Sequence, residues 1–231
     1  HPQHRRQRQM CIRDSAYKSS SKDSKIIWDC QVKLLSVKPQ HLKDISEAGN
    51  ISNKDNLLVS ILAGVSINRL TQKFPNHKCV RVVTNIPITV GKGLTGIAWG
   101  ENLTKDQKQF TKKLFENTSK IYEFTEDYLD IFLALTSSGP AIIALIIEAL
   151  SDGGLSGGLP KILSEELIME MILGTISLIK ENQLTPSELK NLVTSPGGTT
   201  ISALRVLEKK SVRSALIESI VSASNRSKEF N

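Results

Sequence analysis

"VKLLSVKPQHLKDISEAGNISNKDNLLVSIL", residues 32–62, decides how the chain is read. "VKLLSV" (32–37) is a short, largely apolar run stopped by Pro39. "QHLKDISEA" (40–48) has helical spacing, and "LLVSIL" (57–62) is a second apolar run. The pattern repeats at once. "SINRLTQKF" (66–74) reads as a helix with Ser66 as its N-cap, and "CVRVV" (79–83) is a third strand-like run. Strands separated by helices at this spacing imply βαβ units and a mostly parallel sheet, covered on both faces.

Beyond residue 84 the rhythm changes. "NIPITVGKGLTGIAWG" (85–100) reads as a loop followed by an edge strand, "LTGIAW". Thr104 and Gln107 form a capping box for a helix reaching about residue 117, and "KIYEF" (120–124) is a last strand. Six helices are then expected: 126–135, 138–151 ending at "DGG", about 160–181, one opened by Thr185-Pro186-Ser187-Glu188, 200–209 and 211–227. Strands in the first half and helices in the second imply two domains, 26–124 and 125–231.

Composition narrows the function classes. The formal charge of +7 is unevenly placed, because seven of the 30 Lys and Arg residues, but only two of the 23 acids, fall within residues 1–25. That segment shows neither helical nor strand periodicity and reads as a disordered or non-native arm. Without interleaved aromatics it gives no positive sign of nucleic-acid binding. Three widely spaced cysteines and four scattered histidines match no metal-ligand spacing, and the cysteine usage fits a reducing compartment. The longest apolar run, "AIIALIIEAL" (141–150), spans about half a membrane and reads as a buried helix. No membrane partner is expected.

"TSPGGTTISAL" (194–204) is the stretch with the clearest chemistry. Gly197 and Gly198 let backbone approach a ligand, Ile201, Leu204 and Leu207 start a helix, and the free N–H groups there favour a carboxylate or phosphate. From spacing alone an ordinary helix–helix turn remains open. Lys38, at the end of the first strand, lies where open α/β sheets bind ligands. A solvated lysine is the plain alternative. "SSGPAIIALIIEALSDGGLSGGLP" (137–160) is dense in small residues and suits a tight packing contact.

Taken together, these stretches resemble the pyrroline-5-carboxylate reductase family. "SVKPQ", "AGVSI", "VRVVTNIP", "GLTGIAWG", "SSGPA", "EALSDGG", "GLP" and "LVTSPGGTTISALRVLE" occur in that family's order between about 32 and 229, and Pro186–Glu208 looks like its characteristic segment. The resemblance implies a Rossmann-like α/β domain followed by an all-α dimerisation and substrate-binding domain. It implies hydride transfer from NADPH (or NADH) to the C=N bond of 1-pyrroline-5-carboxylate, giving L-proline. By the same resemblance Gly197, Gly198, Thr199 and Thr200 hold the substrate, with Thr200 bonding the ring nitrogen as the catalytic group. Lys38 and Glu126 lie near the substrate. Ser36, Val37, Lys38, Pro39, Ile61, Leu62, Ala63 and Asn85 line the cofactor. A homodimer through the helical domain is implied, decamers of such dimers occur in families of this kind, and a cytoplasmic location is expected. No metal is required.

The chain departs from the family in two places. No strand with a GxGxMG-type loop precedes "VKLLSV", so the dinucleotide-binding domain reads as incomplete at its N-terminal side. Weak NADPH binding, or a dimerising remnant with impaired catalysis, is the expectation that follows. Ile86 also stands where the family usually carries Thr. A β-hydroxyacid dehydrogenase relative would share the layout, but those enzymes lack the "SPGGTT" loop.

Overall fold

The computed structural model describes residue 28 and residues 30–49 and 56–229; the basic arm over 1–25 lies outside the described residues. Five strands form one sheet in sequence order: β1 (Val32–Leu35), β2 (Asn56–Ser60), β3 (His77–Thr84), β4 (Gly93–Trp99) and β5 (Ser119–Glu123). β1, β2 and β3 run parallel, β4 is antiparallel to β3, and β5 is parallel to β4. The parallel crossovers pass through α1 (Leu42–Gly49) and α2 (Ile67–Lys73), and α3 (Lys105–Lys113) joins β4 to β5.

Neighbouring residues of β2 point to opposite faces and both faces are covered. Leu58 packs with Leu35, Leu42, Val65, Leu70 and Phe74, whereas Leu57 and Val59 pack with Val80, Val82, Ile97 and Phe115. This explains why the strands read as continuous apolar runs rather than alternating ones. Ser66 caps α2 by accepting the Arg69 N–H, and Thr104 with Gln107 forms the full capping box of α3.

"LTGIAW" is a strand but not an edge strand. β4 is paired on both sides, and β5 takes the edge. The alternation of small and apolar residues in β4 reflects the close approach of a helix. Leu129 and Phe132 of α4 (Leu129–Thr136) pack on Val83 and Ala98. So α4, assigned by sequence to the helical half, lies against the sheet.

His77 opens β3 almost fully buried, edge-on to the rings of Trp28 and Phe74 at 5.9 Å. Neither ring nitrogen has a hydrogen-bond partner. Burial, helped by the Lys33 charge, pushes its pKa from 6.5 down to about 4. The unfolded chain therefore takes up this proton first, and the stability due to neutral His77 is complete above 6.5 and lost as pH falls towards 4. A loss of about 2–3 kcal/mol between about pH 7 and about pH 4.5 is expected. His77→Leu should flatten that part of the pH profile of the melting temperature; an equally steep profile would contradict this account.

The helical half comprises α5 (Gly139–Ser156), α6 (Lys161–Glu181), α7 (Pro186–Leu192), α8 (Thr199–Lys209) and α9 (Val212–Lys228). α5 and α6 form a hairpin, α9 packs along α4, and α8 leans on α9. The expected stop of α5 at "DGG" is not observed. The helix runs to Ser156 and ends at Gly157 and Gly158, the latter with φ +95°. Gly154 serves the crossing instead. Ser164 Oγ of α6 donates to the Ser151 carbonyl at 2.8 Å, and a Cβ on Gly154 would lie 2.2 Å from that hydroxyl. Gly154→Val should therefore cost about 2 kcal/mol in chemical denaturation. An unchanged unfolding free energy would show that the hairpin has room to spread.

"AIIALIIEAL" is helical but not buried within the chain. Leu145 is 64% exposed on α5, and on α6 Ile162 and Leu173 are 82% and 59% exposed. The segment Glu126–Ser156 is long and apolar enough, by length and composition alone, to cross a membrane, with 17% of its most apolar window buried. It is, however, broken between α4 and α5, and Asp130 within it pairs with Arg81 of the sheet. Apolar faces of this size on a folded chain mark contact with another surface.

Candidate active site

The parallel strands end side by side. The Ile61 N–H donates to the Leu35 carbonyl at 3.0 Å, so Ser36–Pro39 and Ile61–Ala63 emerge together at the carboxyl edge of the sheet. This is the crevice at which α/β sheets take ligands. Lys38 is extended (φ −70°, ψ 141°) and solvent-exposed; its carbonyl accepts the His41 N–H at 2.9 Å, and its side chain has no ion-pair or hydrogen-bond partner among the described residues. Ala63 is also exposed, but Leu62 before it is 1% exposed, with its side chain in the core and its N–H donating to the Ser60 hydroxyl at 3.4 Å, so it presents no surface to a ligand.

Asn85 lies further along, because β3 outruns β2 by three residues after the Ser60–Arg81 pair. Its side chain is engaged on both atoms. Nδ2 donates to the Thr136 carbonyl at 3.1 Å, and Oδ1 accepts the Leu94 N–H at 2.8 Å. Asn85 thus ties the end of β3 to β4 and α4. Ile86, next to it, projects into solvent.

Glu126 sits in the short 3-10 turn before α4. Its Oε1 accepts the Ile67 N–H at 2.7 Å, at the start of α2, and Arg81 Nη1 donates to the same oxygen at 3.2 Å. Arg81 was invisible to the sequence reading, in which "CVRVV" counted as an apolar run. The signal was there: an arginine flanked on both sides by apolar residues, in a strand buried on both faces.

The second component is the segment from Thr185 to Lys209. Thr185 and Glu188 close a capping box on α7, with Pro186 at the first helical position. The Thr194 hydroxyl donates back to the Lys190 carbonyl at 2.6 Å and ends the turn. Gly197 then adopts φ +70°, a left-handed conformation that a side chain would strain. Gly198 is the N-cap of α8, and it has no side chain with which to cap. The first-turn N–H groups of Thr199, Thr200 and Ile201 consequently have no intrahelical acceptor. A groove of about 610 Å³ runs along the side of α8 rather than at its start, lined by Lys190, Thr194, Arg205, Glu208 and Lys209 among others and by none of residues 197–200. Bare amides and a helix dipole make this end of α8 suited to an anion.

Among the described residues, no hydrogen bond or ion pair joins the loop 194–200 to Lys38 or to Ile61–Ala63. Among the described residues α8 packs chiefly on α9, which packs along α4, and α4 lies on the sheet.

Over 202 residues the chain is 44% identical to a pyrroline-5-carboxylate reductase of Synechocystis sp., covering 87% of this chain and 75% of that protein. The chain belongs to the pyrroline-5-carboxylate reductase family. A reductase of this name from Glycine max is 37% identical, with 89% of this chain and 76% of that protein covered. The crystal structure of Plasmodium falciparum pyrroline carboxylate reductase with NADP bound superposes with a TM-score of 0.86 at 28% identity, over 94% of this chain and 85% of that one. Residues 126–230 match the family model for pyrroline-5-carboxylate reductase dimerisation. The uncovered apolar faces of α5 and α6 lie within that match.

The strand-end residues fit the nicotinamide and ribose end of a dinucleotide by position. The described residues hold nothing equivalent for its pyrophosphate. A GxGxxG spacing does occur, Gly91–Gly96, but it leads into β4 and opens no helix. It therefore lacks the helix N-terminus on which such loops depend.

Proposed function

We propose that this protein reduces 1-pyrroline-5-carboxylate to L-proline with NADPH or NADH as donor. The observation that carries the reading is the uncapped start of α8, preceded by Gly197 at φ +70° and carrying Thr199 and Thr200, within a chain of this family. The substrate is a cyclic imine with one carboxylate, and the loop offers complements to both. Amides of the first turn of α8 take the carboxylate, and Thr199 adds a hydroxyl to that contact. Thr200 then bonds the ring nitrogen.

When bound, the dinucleotide supplies a hydride to the imine carbon. As that bond forms, the C=N π electrons pass to nitrogen. A protonated, hydrogen-bonded nitrogen accepts them and becomes a neutral amine, so no negative charge has to develop. Holding the carboxylate fixes the ring and hence the face presented to the donor. Lys38, Ile61 and Ala63 form the other wall, and the exposed Lys38 ammonium adds positive charge beside the substrate.

The loop and the strand ends are distant in connectivity within one chain. The dimer formed through α5 and α6 brings a second copy of both to the same region, and further association of dimers into a decamer is compatible with it. We place the protein in the cytoplasm, acting on a small molecule and on neither nucleic acid nor membrane. The cysteine usage of the sequence, three widely spaced residues, supports a reducing compartment. The test is the oxidation of NADPH on addition of 1-pyrroline-5-carboxylate, with proline quantified. One proline per NADPH consumed is expected, and the absence of substrate-dependent oxidation with either dinucleotide would overturn the reading.

A further inference from the structure

Arg81 lies in the middle of β3 with 1% of its surface exposed. Two carboxylates answer it. Nη2 donates to Asp130 Oδ1 at 2.7 Å, and Nη1 donates to Glu126 Oε1 at 3.2 Å. Asp130 Oδ1 also accepts the hydroxyl of Ser227, on α9, at 2.8 Å. Glu126 Oε1 accepts the Ile67 N–H at 2.7 Å. One network therefore joins the sheet, α4 with its leading turn, the end of α9 and the start of α2.

Stability does not explain such a network. A buried ion set can often be exchanged for apolar groups of the same volume at no loss. Here, moreover, Arg81 Nε is buried without a partner. What the network does provide is position. α2 starts with two caps of different origin. Ser66 accepts the Arg69 N–H from within the same turn, whereas Glu126 accepts the Ile67 N–H from 59 residues away. A long-range cap is a tether: it holds the loop Ala63–Ser66 in a fixed place relative to α4 and, through Asp130 and Ser227, to α9.

We propose that Arg81 and Asp130 are positioning residues that lock Glu126 onto the start of α2, so that the strand-end wall of the active site is held in fixed geometry against the helical half. The consequence for rate rests on the functional reading above. Neither Arg81 nor Asp130 needs to touch substrate or donor. A displacement of about 1 Å in such a wall is enough to cost about 100-fold in rate.

The test uses the whole protein as Arg81→Met, Arg81→Lys and Glu126→Ala variants. Amide hydrogen exchange at Ile67 and across 61–66 reads the tether, and steady-state kinetics with NADPH and 1-pyrroline-5-carboxylate reads its consequence. In Arg81→Met, exchange at Ile67 should rise at least about tenfold, and kcat should fall about 10- to 100-fold. KM for the imine should change by less than about threefold, since no substrate contact is lost. Arg81→Lys keeps the charge and should recover part of both effects. Glu126 is partly exposed, so Glu126→Ala removes the cap directly and covers the case in which Arg81→Met does not fold. A rise in KM without loss of kcat in Glu126→Ala would make Glu126 a substrate contact and overturn the tether. Unchanged exchange at Ile67 in a folded variant would overturn it too, as would raised exchange with unchanged kcat. Wild-type protein without reductase activity would instead count against the functional reading, and the exchange measurement would still decide the tether.

Discussion

Thr200→Ala is expected to lower kcat/KM for 1-pyrroline-5-carboxylate by about 10- to 100-fold, the loss of about 1.5–3 kcal/mol from a hydrogen bond that holds the ring nitrogen in reacting geometry. The fold should tolerate the change. Thr200 is the second residue of α8, half-exposed, and its hydroxyl makes no hydrogen bond to the chain among the described residues. Its removal should therefore shift stability by no more than about 0.5 kcal/mol. Thr200→Ser keeps the hydroxyl and should restore most of the rate. The main loss should appear in kcat, because the carboxylate contacts of the α8 amides remain. An unchanged rate in Thr200→Ala would remove Thr200 from its role. A rate lost equally in the Ser variant would point to the methyl group and to packing instead.

Charging the exposed face of α6 should have an effect of similar size through a different route. Leu173 and Ile176 are 59% and 44% exposed on a helix whose one extensive neighbour among the described residues is α5. In a dimer such side chains enter a water-free contact, and an unpaired lysine there costs several kcal/mol. The double variant Leu173→Lys, Ile176→Lys should sediment as a monomer at concentrations where the wild type is dimeric. Reductase activity should fall with it, because the α8 loop and the strand ends would no longer be brought together. A dimer that survives both lysines would move the interface off α6. A fully active monomer would show that one chain assembles the whole site.

Local features were read correctly wherever the cause is local. Ser66, Thr104 with Gln107, and Thr185 with Glu188 start their helices as their side chains dictate, and the three parallel strands follow from apolar runs separated by helices. What failed depends on partners distant in sequence. "LTGIAW" gives no sign that β5 pairs beyond it. The glycines at 153 and 154 look like a helix stop, but Gly154 is there because Ser164 needs the space. "AIIALIIEAL" has the composition of a core helix, and its faces are left for another chain to cover. The glycine turn and the uncapped start of α8 were legible because they lie in consecutive residues, Gly197 to Thr200. The Arg81 network was not, because its members are 45 to 97 positions apart in the pairs that build it.

The comparison that bears most directly on the central claim is between 1-pyrroline-5-carboxylate and 1-pyrroline, the same imine without its carboxylate, as substrates for NADPH-dependent reduction. If the N-terminus of α8 holds the carboxylate, kcat/KM should be at least about 100-fold lower for 1-pyrroline, the loss of two or three charge-assisted hydrogen bonds together with the orientation they impose. Equal kcat/KM for the two imines would contradict the account.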